Sequence, residues 1–413
     1  MENSQNIKNT PLGFIPADWN ALEIQSFAAT SSGGTPSRAI KDYYVGNNLW
    51  FTTSELNDGY LFDSIEHISE EALNNSSAKV FPEGTLLIAM YGATIGKLGI
   101  LTEPASTNQA CCAIICSKTV DTRYLFYQLL FNRSSIVALG RGAGQPNISQ
   151  DIVKQLTIAV PSLIEQQKIA DALSGVDDMI GALDEAIAKK RQIKEGLMQQ
   201  LLTGKTRLPG FTDDWVELRF DDFISRFATG LNPRSNFVLN VNASNYYITI
   251  KDFADGVLYF DQCDKVSDEA IKRINERSDL RKGDVLFSSI GRVGDAYVIE
   301  ETPTNWNINE SVFSLRPNPG IIDSQFLYYL IKSKDAQSKF QESVTGTTLR
   351  SIKMGHLKEI VCCFPSSINE QREIAKTLKS IDMEILSSEA LREKYRLVKK
   401  GMMQELLTGK IRL

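Results

Sequence analysis

Residues 165–208 read EQQKIADALSGVDDMIGALDEAIAKKRQIKEGLMQQLLTGKTRL, and residues 370–413 read EQREIAKTLKSIDMEILSSEALREKYRLVKKGMMQELLTGKIRL. The offset is constant at 205, no gap is needed, and 20 of the 44 positions are identical. A repeat of this length marks one structural unit used twice, and everything around it is organised by it. Pro161-Ser162 precedes the first copy and Pro365-Ser366 the second. The first copy runs into Pro209-Gly210-Phe211 and Trp215, and the chain's opening has the same form, Pro11-Leu12-Gly13-Phe14 and Trp19. The order is domain, helix, domain, helix, with the end of the second helix leading back into the first domain.

No proline interrupts Glu165 to Leu201, and apolar residues recur at Ile169, Leu173, Val176, Ile180, Leu183 and Ile187. Steps of four and three alternate, which is a coiled-coil seam. Ile374, Leu378, Ile381 and Ile385 continue the pattern in the second copy. Gly204 and Gly409 stand where helix C-caps are expected, with Lys205 and Lys410 beside them. A helix of this length spans roughly 55 Å, about 16 base pairs of DNA at ~3.4 Å each. Two domain–helix units related by a pseudo-two-fold axis would set the helices antiparallel.

Between the helices the copies have diverged over a common skeleton. Ser69-Glu70-Glu71-Ala72-Leu73 parallels Ser267-Asp268-Glu269-Ala270-Ile271, and Tyr124-Leu125-Phe126-Tyr127 parallels Phe326-Leu327-Tyr328-Tyr329. The apolar runs Thr85 to Met90 and Val285 to Ile290 read as buried strands, and the Tyr/Leu-rich stretches as helices. Strands and helices do not alternate regularly. The expected class is α+β: two similar domains with curved sheets, residues 1–160 and 208–364, and two long antiparallel helices, residues 161–207 and 365–413, in a pseudo-two-fold, circular arrangement.

Composition bounds the function. Of 413 residues, 42% are apolar and 23% charged, as in a globular protein. The polar opening residues lack the apolar core of a signal peptide, and no run approaches 18 apolar residues, so a cytoplasmic location without membrane contact is expected. The net charge is −5; residues 1–164 and 209–369 each carry −4, residues 165–208 are balanced, and residues 370–413 carry +3. Bulk charge therefore gives no support for a nucleic-acid partner, and any such contact must rest on local patches. Cys111, Cys112, Cys116, Cys263, Cys362 and Cys363 lack zinc spacing and read as reduced core residues.

Catalytic constellations do not emerge. His67 and His356 have no companions at ligand spacing. Gly92-Ala93-Thr94-Ile95-Gly96-Lys97 imitates a phosphate loop but is one residue short, with Leu98 where a hydroxyl is needed. Asp177-Asp178 reads as a solvated helix face. Neither an adenine-methylation motif nor a nuclease spacing is present. On residues alone, an enzyme with unrecognised motifs and a coiled-coil adaptor that ignores DNA stay open.

The duplicated EQ(Q/R)xIAxxL…LLTGKxRL helices, with a GFxxxW-type start to each domain, resemble the specificity subunits of type I restriction–modification systems over nearly the whole chain. The Gly33-Gly34-Thr35-Pro36-Ser37 loop also resembles common target-recognition domains, whereas Thr229-Gly230-Leu231-Asn232-Pro233-Arg234 departs from it. The resemblance implies a non-catalytic subunit that reads a bipartite site on double-stranded DNA, one half per domain. It implies two methylation subunits docked on the helices and up to two restriction subunits. S-adenosylmethionine, ATP and magnesium would belong to those partners and not to this chain.

Base reading needs polar side chains on loops, and phosphate anchoring needs cations or free backbone N–H groups. The candidates in the first domain are Gly34, Thr35, Ser37, Arg38, Thr94, Lys97, Arg141, Gln145 and Asn147. In the second domain they are Asn232, Arg234, Ser289, Arg292, Thr347, Thr348, Arg350 and Lys353. The glycines among these loops serve equally well as plain turns.

Overall fold

A computed structural model describes residues 7–140, 147–345 and 350–413. The repeated segments form two α-helices of 39 residues each, Leu163–Leu201 and Ile368–Leu406. The chain divides into two compact units: Met1–Asp184 with Ala390–Leu413, and Glu185–Glu389. Each unit thus holds one recognition domain and about one half of each long helix. No described helix is long and apolar enough to cross a membrane.

In the first unit, strands Ala28–Ser32, Cys111–Cys116, Leu86–Ala89, Leu98–Leu101 and Gly59–Leu61 form a five-stranded sheet in that order, antiparallel except for the last pair. Glu66–Ile68, Asn48–Phe51, Ala105–Thr107 and Val80–Phe81 form a four-stranded sheet. The run expected at Thr85 to Met90 is the strand Leu86–Ala89, buried at every residue, as befits a strand covered on both faces. Cys111 and Cys112 are buried in the strand beside it, and burial pushes both thiols up to about 12, so they pack as small neutral side chains. Helix Thr122–Phe131 begins at Asp121, whose carboxylate accepts the N–H groups of Arg123 (2.8 Å) and Tyr124 (3.1 Å). Its Tyr124, Leu125 and Leu129 share a core with Trp19 and with Ile169, Leu173, Met403 and Leu406 of the long helices.

The second unit repeats this plan with different core chemistry. Strands Ile224–Thr229, Val312–Pro317, Val285–Ser288 and Ala296–Val298 form its main antiparallel sheet. Asp264–Val266, Asn245–Ile248 and Trp306–Ile308 form the smaller one. Asp323 caps helix Ser324–Lys332 as Asp121 caps its counterpart. Aromatic rings fill the core, with Phe340 packed at 5.1 Å from Phe287 and 6.1 Å from Phe220, and Phe364 at 5.1 Å from Phe223. Fine register is kept even so. Asn48 Nδ2 donates to Ile68 O (3.2 Å) and Glu70 Oε1 (3.1 Å), while Asn245 Nδ2 donates to Val266 O (3.4 Å) and Asp268 Oδ1 (2.7 Å).

Within each unit the helices run antiparallel, because partner numbers fall on one helix as they rise on the other. In the first unit Asp177 pairs with Lys399 and Asp184 with Arg392. In the second, Lys190 pairs with Glu384 and Lys194 with Asp382. Each helix ends at a glycine in the left-handed region, Gly204 at φ 70° and Gly409 at φ 71°. Thr206 N donates to Gln200 O and Ile411 N to Glu405 O, which closes each helix C-terminus in the same way.

Just beyond each cap an arginine reaches the start of the other helix. Arg412 Nε and Nη2 hold the buried Glu165 carboxylate at 2.5 and 2.8 Å, and Trp19 Nε1 donates to it at 3.2 Å. Arg207 Nε and Nη2 hold the fully buried Glu370 at 2.5 and 2.6 Å, with Trp215 alongside. Next to them Gln166 bonds Asp121 N, Thr119 O and Pro161 O; Gln371 bonds Asp323 N, Ile321 O and Pro365 O.

Removing one partner of a buried ion pair strands the other charge. Glu370→Gln should therefore destabilise the protein by about 3 kcal/mol in denaturant melts. Lys379→Gln, which breaks the exposed 3.4 Å pair with Glu300, should cost under about 0.5 kcal/mol. Gly181 lies exposed inside the first long helix with open space where a Cβ would stand. Gly181→Ala should stabilise by roughly 0.5–1 kcal/mol in the same melts.

Candidate nucleic-acid interface

In the first recognition domain the Gly33–Arg38 loop is tied into its own domain. Gly34 N donates to Thr107 O at 2.8 Å, its carbonyl accepts the Trp50 indole N–H at 3.0 Å, and a Cβ there would strike Ser77 O. The glycine is required by a close approach within the domain, and its amide is not free for a phosphate. Thr35 bonds Gln109, and Ser37 is exposed. Arg38 is bidentate to Glu66 at 2.5 and 2.7 Å and lies 4.1 Å over the Tyr44 ring.

The Tyr91–Lys97 loop is anchored from below by Asp58, a non-glycine residue at φ 64°. Its carboxylate takes Lys97 Nζ at 2.8 Å, Leu98 N at 3.0 Å and the Arg133 guanidinium, while Arg133 Nε also donates to Gly96 O. Burial opposes ionisation of Asp58, but Arg133, Lys97 and the Leu98 N–H outweigh it and hold the carboxyl below its usual range. Thr94 is half-buried, and its carbonyl accepts Lys97 N. Asn147 is exposed and forms a β-bridge with Tyr91, which brings the second and third candidate loops together. Arg141 and Gln145 lie outside the described residues.

The second domain differs loop by loop. Asn232 accepts the Asn236 side-chain amide, and Arg234 beside it is exposed with no ion-pair or hydrogen-bond partner among the described residues. Ser289 corrects the sequence expectation: it is buried, its hydroxyl donates to Ser311 O at 2.7 Å, and its carbonyl accepts Ile352 N. Its hydroxyl and carbonyl are both spent on holding the loop. Arg292 is drawn down onto Asp295 at 3.0 Å and onto the carbonyls of Ile250 and Phe253. Arg350 is exposed, touches Gln341 at 3.3 Å, and accepts Gly291 N on its carbonyl. Lys353 is exposed, its carbonyl accepts Leu357 N at 3.0 Å, and its ammonium has no ion-pair or hydrogen-bond partner among the described residues. Ile290 and Ser351 form the bridge equivalent to Tyr91 and Asn147. Thr347 and Thr348 lie outside the described residues.

A second correction concerns Asp177, which is not a solvated face residue. It accepts the Tyr127 phenol at 2.7 Å and pairs with Lys399 at 2.6 Å, whose ammonium lies 5.3 Å over the Tyr127 ring. The same triad recurs in the second unit: Tyr329 donates to Asp382 at 2.7 Å, Lys194 pairs with Asp382 at 2.5 Å and lies 5.8 Å over the Tyr329 ring. Burial and then the adjacent carboxylates raise both phenols far above the ordinary tyrosine value, so each stays a donor. Sequence offered one signal for these triads: Asp177/Asp382 and Lys194/Lys399 are among the 20 identities of the repeat.

A cleft of about 1000 Å³ in the second unit lies between the long-helix segments, helix Ser324–Lys332 and the turn Asp255–Phe260. Its five cations, Arg191, Lys194, Lys332, Lys334 and Lys379, all pair with carboxylates, while Tyr259, Met383 and Leu386 stay exposed. Such a wall suits an apolar protein surface better than a phosphate chain. Among the described residues no cluster of His, Cys, Asp and Glu could hold a metal ion.

Known proteins resemble this chain in sequence and in fold. The specificity subunit of the type I restriction enzyme MjaVIII of Methanocaldococcus jannaschii is 24% identical, over 97% of this chain and 94% of its own length. The MjaIX specificity subunit of the same organism is 27% identical over 87% and 85%, and the EcoBI specificity subunit of Escherichia coli 24% over 89% and 80%. In fold, the chain resembles the S subunit of a type I restriction–modification system from M. genitalium, with TM-score 0.63, 16% identity and 98% of both chains covered. The family described as "Type I restriction modification DNA specificity domain" matches twice, over residues 16–195 and 212–394. Those two matches take in most of the chain, which belongs to the specificity subunits of type I restriction–modification systems.

Proposed function

We propose that this subunit reads a bipartite site on double-stranded DNA, one half-site per recognition domain, across a spacer of unspecified bases. It carries no chemistry itself. Two copies of one methylation subunit dock on its helices and use S-adenosylmethionine to methylate adenine, and up to two restriction subunits, driven by ATP with magnesium, join that core. One observation carries the reading: the helices and their polar anchors are duplicated, while the candidate loops are not. Glu165, Gln166, Asp177, Lys194 and Arg207 recur as Glu370, Gln371, Asp382, Lys399 and Arg412. Repeated helices suit one partner used twice. Loops that change from Thr35-Pro36-Ser37-Arg38 to Asn232-Pro233-Arg234-Ser235 suit two different half-sites.

Affinity would be modest from this chain alone, because Arg38, Lys97 and Arg292 are spent on internal carboxylates or carbonyls. Arg234 and Lys353 are the cations best placed to meet DNA in the second domain. If Arg234 reads a base edge, Arg234→Ala should cost about 1–3 kcal/mol and relax one half-site only, measured by competition binding of the assembled complex. Lys353→Ala should weaken all sequences alike and reduce the slope of log K against log salt by about 1.

The decisive experiment is genome-wide adenine-methylation sequencing in a host expressing this chain with its cognate methylation subunit. A single two-part motif, methylated only when the chain is present, is expected. A verified complex without any such motif would overturn the reading and favour a protein-bridging adaptor.

A further inference from the structure

In each unit the recognition domain meets its helices through an apolar core and through two polar anchors. The first anchor is at the helix start, Glu165 with Arg412 and Trp19, or Glu370 with Arg207 and Trp215. The second is the triad Tyr127–Asp177–Lys399, or Tyr329–Asp382–Lys194. Asp177 follows Glu165, and Asp382 follows Glu370, by the same 12 residues, roughly 18 Å along the helix. A glutamine beside the first anchor is repeated as well, Gln166 on Asp121 N and Gln371 on Asp323 N, whereas among the described residues Arg123–Asp171 occurs in the first unit alone and Lys334–Glu195 and Lys379–Glu300 in the second alone.

Apolar contact is non-directional and tolerates small rotations, whereas hydrogen bonds weaken steeply with distance and angle. One anchor leaves a domain free to rock about that point; two anchors ~18 Å apart fix its tilt. A tilt of about 10° displaces a loop ~20 Å away by roughly 3.4 Å, one base-pair step. We infer that the two Tyr–Asp–Lys triads are registration locks: they set the angle of each recognition domain on its helix pair, and so the spacer length the subunit accepts. The inference rests on the bipartite reading above. Asp177 and Asp382 are positioning residues, since they act through the domain they hold and touch no base.

The lock explains the composition of the triad. The Asp oxygens receive a phenol from the recognition domain and an ammonium from the other long helix, so three helices converge on one carboxylate. Lys399 and Lys194 spend their charge on the carboxylate and on the tyrosine ring, and add nothing to phosphate binding. Both copies keep this arrangement although the cores beneath them differ, one largely aliphatic and one rich in phenylalanine.

The test uses the full chain assembled with its methylation subunits. Duplexes carry both half-sites with the native spacer, or with one or two base pairs added or removed. The wild type should methylate one spacer length at least about a hundredfold faster than its neighbours. Tyr127→Phe and Lys399→Met, each mild enough to preserve folding, should bring an adjacent spacer to within about tenfold, with half-site bases unchanged. Asp177→Asn should lose the discrimination likewise, and Asp177→Glu, which keeps the charge, should lose less of it than Asp177→Asn. Undiminished spacer selectivity in both variants overturns the inference. So does an equal loss at every spacer with a lowered melting temperature, which marks a merely stabilising contact. A wild type that methylates without any spacer preference would instead remove the bipartite reading itself.

Discussion

A buried carboxylate cannot stay charged and unpaired, and each long helix begins with one. Glu165 and Glu370 sit at 5% and 0% exposure, and in each case the compensating guanidinium lies just past the end of the other helix. Satisfying both carboxylates fixes the relative direction and the register of the helices in each unit. In the first unit it also draws in the indole N–H of Trp19, whereas Trp215 in the second meets only the Arg207 guanidinium with its ring. The seam of apolar residues makes the helices stick, but a seam alone tolerates slippage by a heptad. The ion pairs select one register.

Much of this was legible in the sequence because a gapless repeat writes the same structure twice. Helix extent, glycine caps, the buried strands Leu86–Ala89 and Val285–Ser288, and the paired helices Thr122–Phe131 and Ser324–Lys332 all follow from apolar period or from matching one copy to the other. The candidate loops were less legible, because whether a cation is free is a tertiary fact. Glu66 neutralises Arg38 from 28 positions away and Asp58 neutralises Lys97 from 39. Ser289 lies within the apolar run Val285 to Ile290 and is buried just past the strand Val285–Ser288. Asp177 was misread for the same reason as Arg38 and Lys97: its partner Tyr127 is 50 residues distant. One missed local signal was available, since Asp58-Gly59 and Asp255-Gly256 occupy equivalent turns, and both aspartates adopt positive φ.

The two recognition domains show which physical terms resist change. Their cores have been repacked from Leu86, Ile88 and Ile114 in one to Phe287, Phe313 and Phe340 in the other, and the shared strands keep their order although the main sheet has five strands in one and four in the other. Apolar volume can be redistributed at modest cost so long as the total is kept. A triad of phenol, carboxylate and ammonium cannot be redistributed, because each member leaves the others unsatisfied if it departs. Divergence has therefore collected in cores and loops, while the polar joints have stayed fixed.

The LLTGK stretch at Leu201–Lys205 and again at Leu406–Lys410 ends each helix at the same cap. In each case the arginine of a buried ion pair stands two residues past the lysine, so the two helix ends are interchangeable as joints. An exchange there would import a complete foreign domain whose joint already matches, with the arginine and the capping glycine supplied by the resident helix. A domain with a different core can be accommodated at such a joint without a new cap or a new ion pair.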